Sequence, residues 1–271
     1  MTLVLLVRHG LTAGTGSVLT GRMPGIGLDD RGRGQAAAVG ARLADVPLDA
    51  IISSPLQRCQ ETAAAIAAAR SAGLDPATPP NGHQLAVTED DRFAEVAYGD
   101  WTGKPIKKLA KEPLWRVVQA HPSAVRFPGP DGESLPGVQE RAVAAIRDWN
   151  QRLGPKAVYL VCSHGDVIKS IIADSLGLHL DMFQRIQVDP CSVSLIRYTP
   201  LRPFVLRMND TGAGLGVSGP ALGGVAGSGP AERGLAKAEP AAGPPGEPGG
   251  AATGRSGLDE GDAVIGGGAG G

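Results

Sequence analysis

Cysteine is scarce in this chain. Cys59, Cys162 and Cys191 are the only three, and their spacing fits neither a zinc site nor a disulfide framework. A reducing, cytoplasmic setting is therefore expected. Charge of one sign is also missing: 26 basic and 27 acidic residues leave a net −1, without the basic excess of a nucleic-acid surface, so no nucleic-acid partner is expected. No apolar run approaches the ~20 residues of a membrane span. The N-terminal run is too short for a signal segment and no basic residues precede it, so no membrane partner is expected either. Residues 213–271 lack Phe, Trp and Tyr yet hold 20 of the 40 glycines. Such a segment cannot bury enough apolar surface to offset its ordering entropy. Residues 212–271 are thus expected to form a disordered Gly/Ala/Pro-rich tail behind one α/β domain, residues 1–211.

What is present is a repeated device. "LVLLVRHGLT" (3–12) runs five apolar residues into an arginine, a histidine and a glycine, and "AVYLVCSHG" (157–165) repeats the pattern. Runs apolar on both faces mark buried parallel strands. Between them, a helix over 33–44 and a strand over 49–54 complete a βαβ unit, so the strands at 2–7 and 49–54 should be parallel. A second helix is expected from Ser54 as N-cap, with Pro55 at its first position and Gln57 closing a capping box. Residues 74–88 read as a loop and a short strand, and 105–120 as a helix. A helical apolar stripe over 138–153, a helix ended by Gly177 and two late strands near a sheet edge complete the domain.

Ligands of open α/β sheets bind beyond the carboxyl ends of the strands. His9 and His164 both stand at such ends, and Arg58 stands in the first turn of the helix after the second strand. Arg8, His9, Arg58 and His164 should therefore converge. A cation in a first helical turn opposes the macrodipole, and an anion bound there would explain it. Arg8 offers a planar fork for a tetrahedral oxyanion, and the amides of the helix opening at Gly165 add donors. A neutral histidine can attack phosphorus through its ring nitrogen. The leaving oxygen then needs a proton, and Glu95 in "RFAEVAYGDWTG" (92–103) sits where desolvation could raise its pKa; Asp91 and Asp100 are the next carboxylates. Adjacent arginines oppose a metal ion, so no metal or cofactor is expected. Lys104, Lys107, Lys108 and Lys111 read as a solvated helix face, and His83, His121 and His179 as peripheral.

"LLVRHGLT", "SSPLQRCQETA", "AEVAYGDWTG" and "VCSHGDVI", in that order, resemble the histidine phosphatase superfamily, the phosphoglycerate-mutase-like fold. The likeness is nearest an actinobacterial branch labelled as phosphomutases. It implies a three-layer sandwich, a mostly parallel central sheet flanked by helices. It implies His9 as phosphoacceptor, Arg8, Arg58 and His164 as phosphoryl ligands, and Glu95 as proton donor and acceptor. Thr12 and Thr15 fall on the loop after the nucleophile, and Thr20, Gly21 and Arg22 where relatives contact substrate. Mutases of the family carry an asparagine where Thr15 stands and a basic insertion with paired arginines after the acid segment; no Arg-Arg pair lies between Glu95 and His164. A phosphatase acting on a small phosphorylated metabolite is expected. A phosphomutase using the same intermediate and a catalytically weak phosphate-binding regulatory protein are the alternatives. Dimerisation through the late strands is left open.

Overall fold

A computed structural model describes residues 1–72 and 85–212. Six strands form one sheet in the order β3-β2-β4-β1-β5-β6. They are β1 (Thr2–Arg8), β2 (Ala50–Ser53), β3 (Val87–Glu89), β4 (Val158–Ser163), β5 (Val193–Tyr198) and β6 (Pro203–Asp210). Strands β3, β2, β4 and β1 run parallel, while β5 and β6 are antiparallel to their neighbours. The expected parallel relation of β1 and β2 holds in direction, but β4 lies between them.

The double apolar face of β1 has a direct structural reason. Val4 and Leu6 pack on one side of the sheet with residues of α5 (Leu135–Leu153) and α6 (Gly165–Leu176). Leu5 and Val7 pack on the other with α1 (Asp30–Leu43) and α2 (Gln57–Ala72). Alternate residues thus feed two separate cores, which is the three-layer sandwich. Leu6, Val161 and Ile52 are fully buried in one layer, and Val7, Leu160 and Ile51 in the other. The helix ends follow local chemistry. Asp29 caps α1 by accepting from the Gly32 N–H at 2.8 Å. Gly177, at φ 67°, closes α6 in the left-handed region.

Three expectations change. The helix expected over 105–120 is two, α3 (Ile106–Leu109) and α4 (Pro113–Ala120), because Pro113 cannot donate into a continuing helix and starts a new one. Helix α2 begins at Gln57 rather than at Pro55, and the capping box does not form. Gln57 donates to Glu61 instead, and it is Gln60 that reaches the Ser54 carbonyl, at 2.7 Å. The expected loop start at 74–84 and the tail at 213–271 lie outside the described residues. Among the described residues no helix is long and apolar enough to cross a membrane.

Candidate active site

The carboxyl ends of β1 and β4 bring the two H-G motifs side by side. Arg8 pairs with Ser163 across the ladder, and the His9 N–H donates to the Ser163 carbonyl at 3.0 Å. The rings of His9 and His164 meet edge to face with centroids 5.2 Å apart. Gly10 is required here, because a Cβ would sit 2.6 Å from the Gly32 carbonyl oxygen where α1 begins. That close approach lets the chain turn directly behind the histidine.

His9 Nδ1 lies 2.7 Å from the Gly10 carbonyl. A carbonyl only accepts, so Nδ1 carries the proton and Nε2 keeps its lone pair. That Nε2 accepts from Arg58 Nε at 3.2 Å. Burial, and then the charges of Arg58 and Arg8, hold the His9 pKa well below the usual imidazole range. The ring is therefore neutral at pH 7, the state a nucleophile needs.

Arg58 reaches inward from the first turn of α2. Its Nη2 donates to the Gly21 carbonyl at 2.8 Å and to His164 Nδ1 at 3.2 Å. Among the described residues its Nη1, which is buried, has no hydrogen-bond partner. Because a guanidinium only donates, His164 Nδ1 accepts, and Nε2 donates to Ser54 Oγ at 2.7 Å. This bond, rather than helix capping, is the main role of the Ser54 hydroxyl. Burial first, and then Arg58, lower the His164 pKa as well. Arg8 Nη1 donates to the Val188 carbonyl at 2.7 Å, and burial draws the Arg8 pKa below its ordinary value.

Glu95 is buried, with Oε1 accepting from the Val96 N–H at 2.9 Å and Oε2 3.8 Å from His164 Nδ1. Its pKa is pushed up to about 7, mainly by burial and next by Asp166, against the pull of Arg58, the Val96 N–H and Arg8. The backbone carrying it is clamped: Arg22 Nε and Arg141 Nη2 donate to the Glu95 carbonyl at 2.6 and 3.3 Å. Glu133 holds both arginines, at 2.9 Å to Arg22 and 2.8 Å to Arg141.

His9, Arg8, Arg58 and Glu95 open on a narrow cleft, whose wall includes Thr12, Thr15, Thr20, Gly21 and Tyr98. Thr12 and Thr15 fix one another, hydroxyl to hydroxyl at 3.0 Å, with the Thr12 N–H donating to Thr15 Oγ1 at 2.9 Å. Two expected residues are not part of this wall. His164 is fully buried behind Arg58 and does not line the cleft. Arg22 donates to the Glu95 carbonyl and pairs with Glu133, with its side chain 40% exposed. Lys104, Lys107, Lys108 and Lys111 are exposed. His121 and His179 sit beside Asp181 on the surface, and His83 lies outside the described residues. Sequence reasoning missed Ser54 as a histidine partner, Tyr98 as a wall of the cleft, and Asp166. Only Asp166 had a visible signal, since it directly follows the second H-G.

Several known proteins resemble this chain over most of its length. A family model for the histidine phosphatase superfamily, branch 1, matches residues 4–211. Phosphoserine phosphatase 1 of Hydrogenobacter thermophilus is 30% identical over 222 residues, covering 78% of this chain and 93% of that protein. The uncharacterized protein Rv0525 of Mycobacterium tuberculosis is 45% identical over 96 residues, 35% of this chain and 41% of its own. The likeness to an actinobacterial branch thus rests on a short match. Among solved structures, YhfR of Bacillus stearothermophilus superposes with a TM-score of 0.67 at 26% identity, covering 78% of this chain and 98% of that one.

Proposed function

The chain belongs to the histidine phosphatase superfamily, and from that premise we propose that it hydrolyses a small phosphate monoester in two steps through a phosphohistidine on His9. One observation carries the proposal: Arg58 points Nε at the His9 lone pair while its neighbouring Nη1 is buried without a partner among the described residues. Leaving a buried charged donor unpaired costs free energy, and a phosphoryl oxygen seated beside the nucleophile would remove that cost.

In the first step the phosphoryl group lies on Arg58 and Arg8 with phosphorus in line with His9 Nε2. The N–P bond forms, the P–O ester bond breaks, and Glu95 gives its proton to the leaving alkoxide. In the second step the Glu95 carboxylate takes a proton from water. The water oxygen attacks phosphorus, the N–P bond breaks, and inorganic phosphate leaves with Glu95 again protonated. A carboxyl near pKa 7 suits both roles, because either form is accessible at neutral pH. Preorganised cations supply most of the stabilisation of the transition state.

Hydrolysis is favoured over phosphoryl return by the far end of the cleft. Among the described residues, its cationic lining is Arg8 and Arg58, both at the phosphate end, and the remainder includes Val18, Leu19 and Ile106. No cation there is placed for a second anionic group. The three free, buried cysteines support a reducing compartment. Product analysis with a panel of small phosphate monoesters tests the proposal. The expected products are free alcohol and inorganic phosphate. A rearranged phosphate ester would establish mutase action instead, and absence of turnover on the whole panel would favour a binding role.

A further inference from the structure

The wall of the cleft away from the two arginines is built by two loops that are stitched together. The loop after the nucleophile runs alongside the segment that follows Trp101. The Gly103 N–H donates to the Leu19 carbonyl at 2.8 Å, and the Leu19 N–H donates to the Lys104 carbonyl at 3.0 Å. Val18 bridges Pro105 in antiparallel fashion, and the Ile106 N–H donates to the Ser17 carbonyl at 3.0 Å. This short ribbon brings Val18, Leu19 and, at the start of α3, Ile106 into the cleft wall.

An apolar residue on a loop can be mere filling of the core. Leu19 fits that description, being 2% exposed and a member of the same buried cluster as Tyr98 and Trp101. Val18 and Ile106 do not. Ile106 leans on that cluster, but both side chains are only half-buried, and both line the cleft that holds His9 and Glu95. Lys104 and Lys107, on the same ribbon, are exposed and are not part of the wall.

We propose that Val18 and Ile106 select the substrate: a phosphate monoester whose alcohol is a short aliphatic chain without a second anionic group. The inference rests on the phosphomonoesterase reading and narrows it. With the phosphoryl group on Arg8 and Arg58, the alcohol extends along the rest of the wall. An aliphatic chain gains there by leaving water. A carboxylate would leave water for an apolar surface, which is costly without a partner, and it would share the cleft with Glu95. Selection of this kind rests on differences in transition-state binding between competing esters.

The experiment measures release of inorganic phosphate from ethyl, propyl and butyl phosphate and from 3-phosphoglycerate. It uses the wild type, Ile106→Ala and Val18→Thr, with a thermal melt of each. In the wild type kcat/KM is expected to rise roughly fourfold with each methylene, and 3-phosphoglycerate to lie about tenfold or more below butyl phosphate. Both variants should flatten the series, with butyl phosphate losing more than ethyl phosphate. Val18→Thr keeps the shape of the side chain and adds only a hydroxyl, so it serves should Ile106→Ala not fold. A flat series in the wild type, or 3-phosphoglycerate turned over as well as butyl phosphate, overturns the inference and leaves hydrolysis standing. A rising series that neither folded variant flattens shows that other residues select the chain, and overturns it too. Release of no phosphate from any ester is failure of the hydrolytic reading itself, and the inference falls with it.

Discussion

Replacing Arg58 with lysine keeps one positive charge and removes a fork. The guanidinium works in three directions at once. Nε faces His9 Nε2, Nη2 bridges the Gly21 carbonyl and His164 Nδ1, and Nη1 is left for a ligand. In the transition state, Nη1 and Nε can each meet a phosphoryl oxygen while Nη2 still anchors the side chain to the loop at Gly21. A lysine ammonium is a single nitrogen, for which the Gly21 carbonyl and the phosphoryl oxygens must compete. Losing two charge-assisted hydrogen bonds at about 1.5 kcal/mol each removes about 3 kcal/mol of transition-state binding. That corresponds to a loss of roughly 10²-fold in kcat/KM. Steady-state kinetics on a phosphate monoester measures it, with a thermal melt to show that the variant is folded. Vanadate, which mimics the trigonal bipyramidal phosphoryl group, should inhibit the wild type well and Arg58→Lys poorly. A folded variant inhibited as strongly as the wild type would remove Arg58 from the phosphate site and refute the reasoning.

His9→Ala should abolish turnover and phosphoenzyme together; rapid-quench labelling of the wild type should give an acid-labile, alkali-stable adduct, and a label mapping elsewhere would displace His9. Glu95→Gln should slow single-turnover phosphorylation by alkyl phosphates by roughly 10²–10⁴-fold and by p-nitrophenyl phosphate far less, whereas equal slowing would show that no proton is donated by Glu95. Because the donor must hold its proton, alkyl-ester phosphorylation should fall as pH rises through about 7, and a flat profile to pH 9 would contradict this. Truncation after Gly212 should leave Tm and kcat/KM nearly unchanged; a large drop in either would show that the tail contributes to the domain or the site.

The sequence carried the layers and the phosphate end of the site more clearly than the details between them. Buried strands and their terminal histidines are local patterns, and the apolar runs before His9 and His164 are continuous. The insertion of β4 between β1 and β2 is different, since strand order depends on which apolar faces match across the whole chain. Ser54 looked like a cap because the local signal for a cap is a hydroxyl before a helix. Its bond to His164 joins residues distant in the chain and leaves no local trace. The same holds for the bond between Tyr98 and Asp166, although Asp166 itself stands in a visible place after the second H-G, and for Arg22, whose partners at Glu95 and Glu133 lie far along the chain. Pro113 is a local break that the single helix expected over 105–120 did not take into account.

The doubly buried face of β1 leaves one problem that its ends must solve. Hydrophobic matching normally fixes register, because a one-residue slip turns apolar side chains toward water. In β1 that slip would exchange Val4 and Leu6 for Leu5 and Val7, apolar in both cases, so burial alone distinguishes the two alignments weakly. It would also move His9 by about 3.3 Å relative to His164. The alignment is held at the rim, where the His9 N–H meets Ser163, the Cys191 N–H meets the Arg8 carbonyl, and the Leu3 N–H meets Ala157. The backbone that presents the nucleophile is thus also the registration mark of the sheet. A one-residue insertion in β1 could leave a well-packed, cooperatively melting protein in which the two histidines no longer stand abreast.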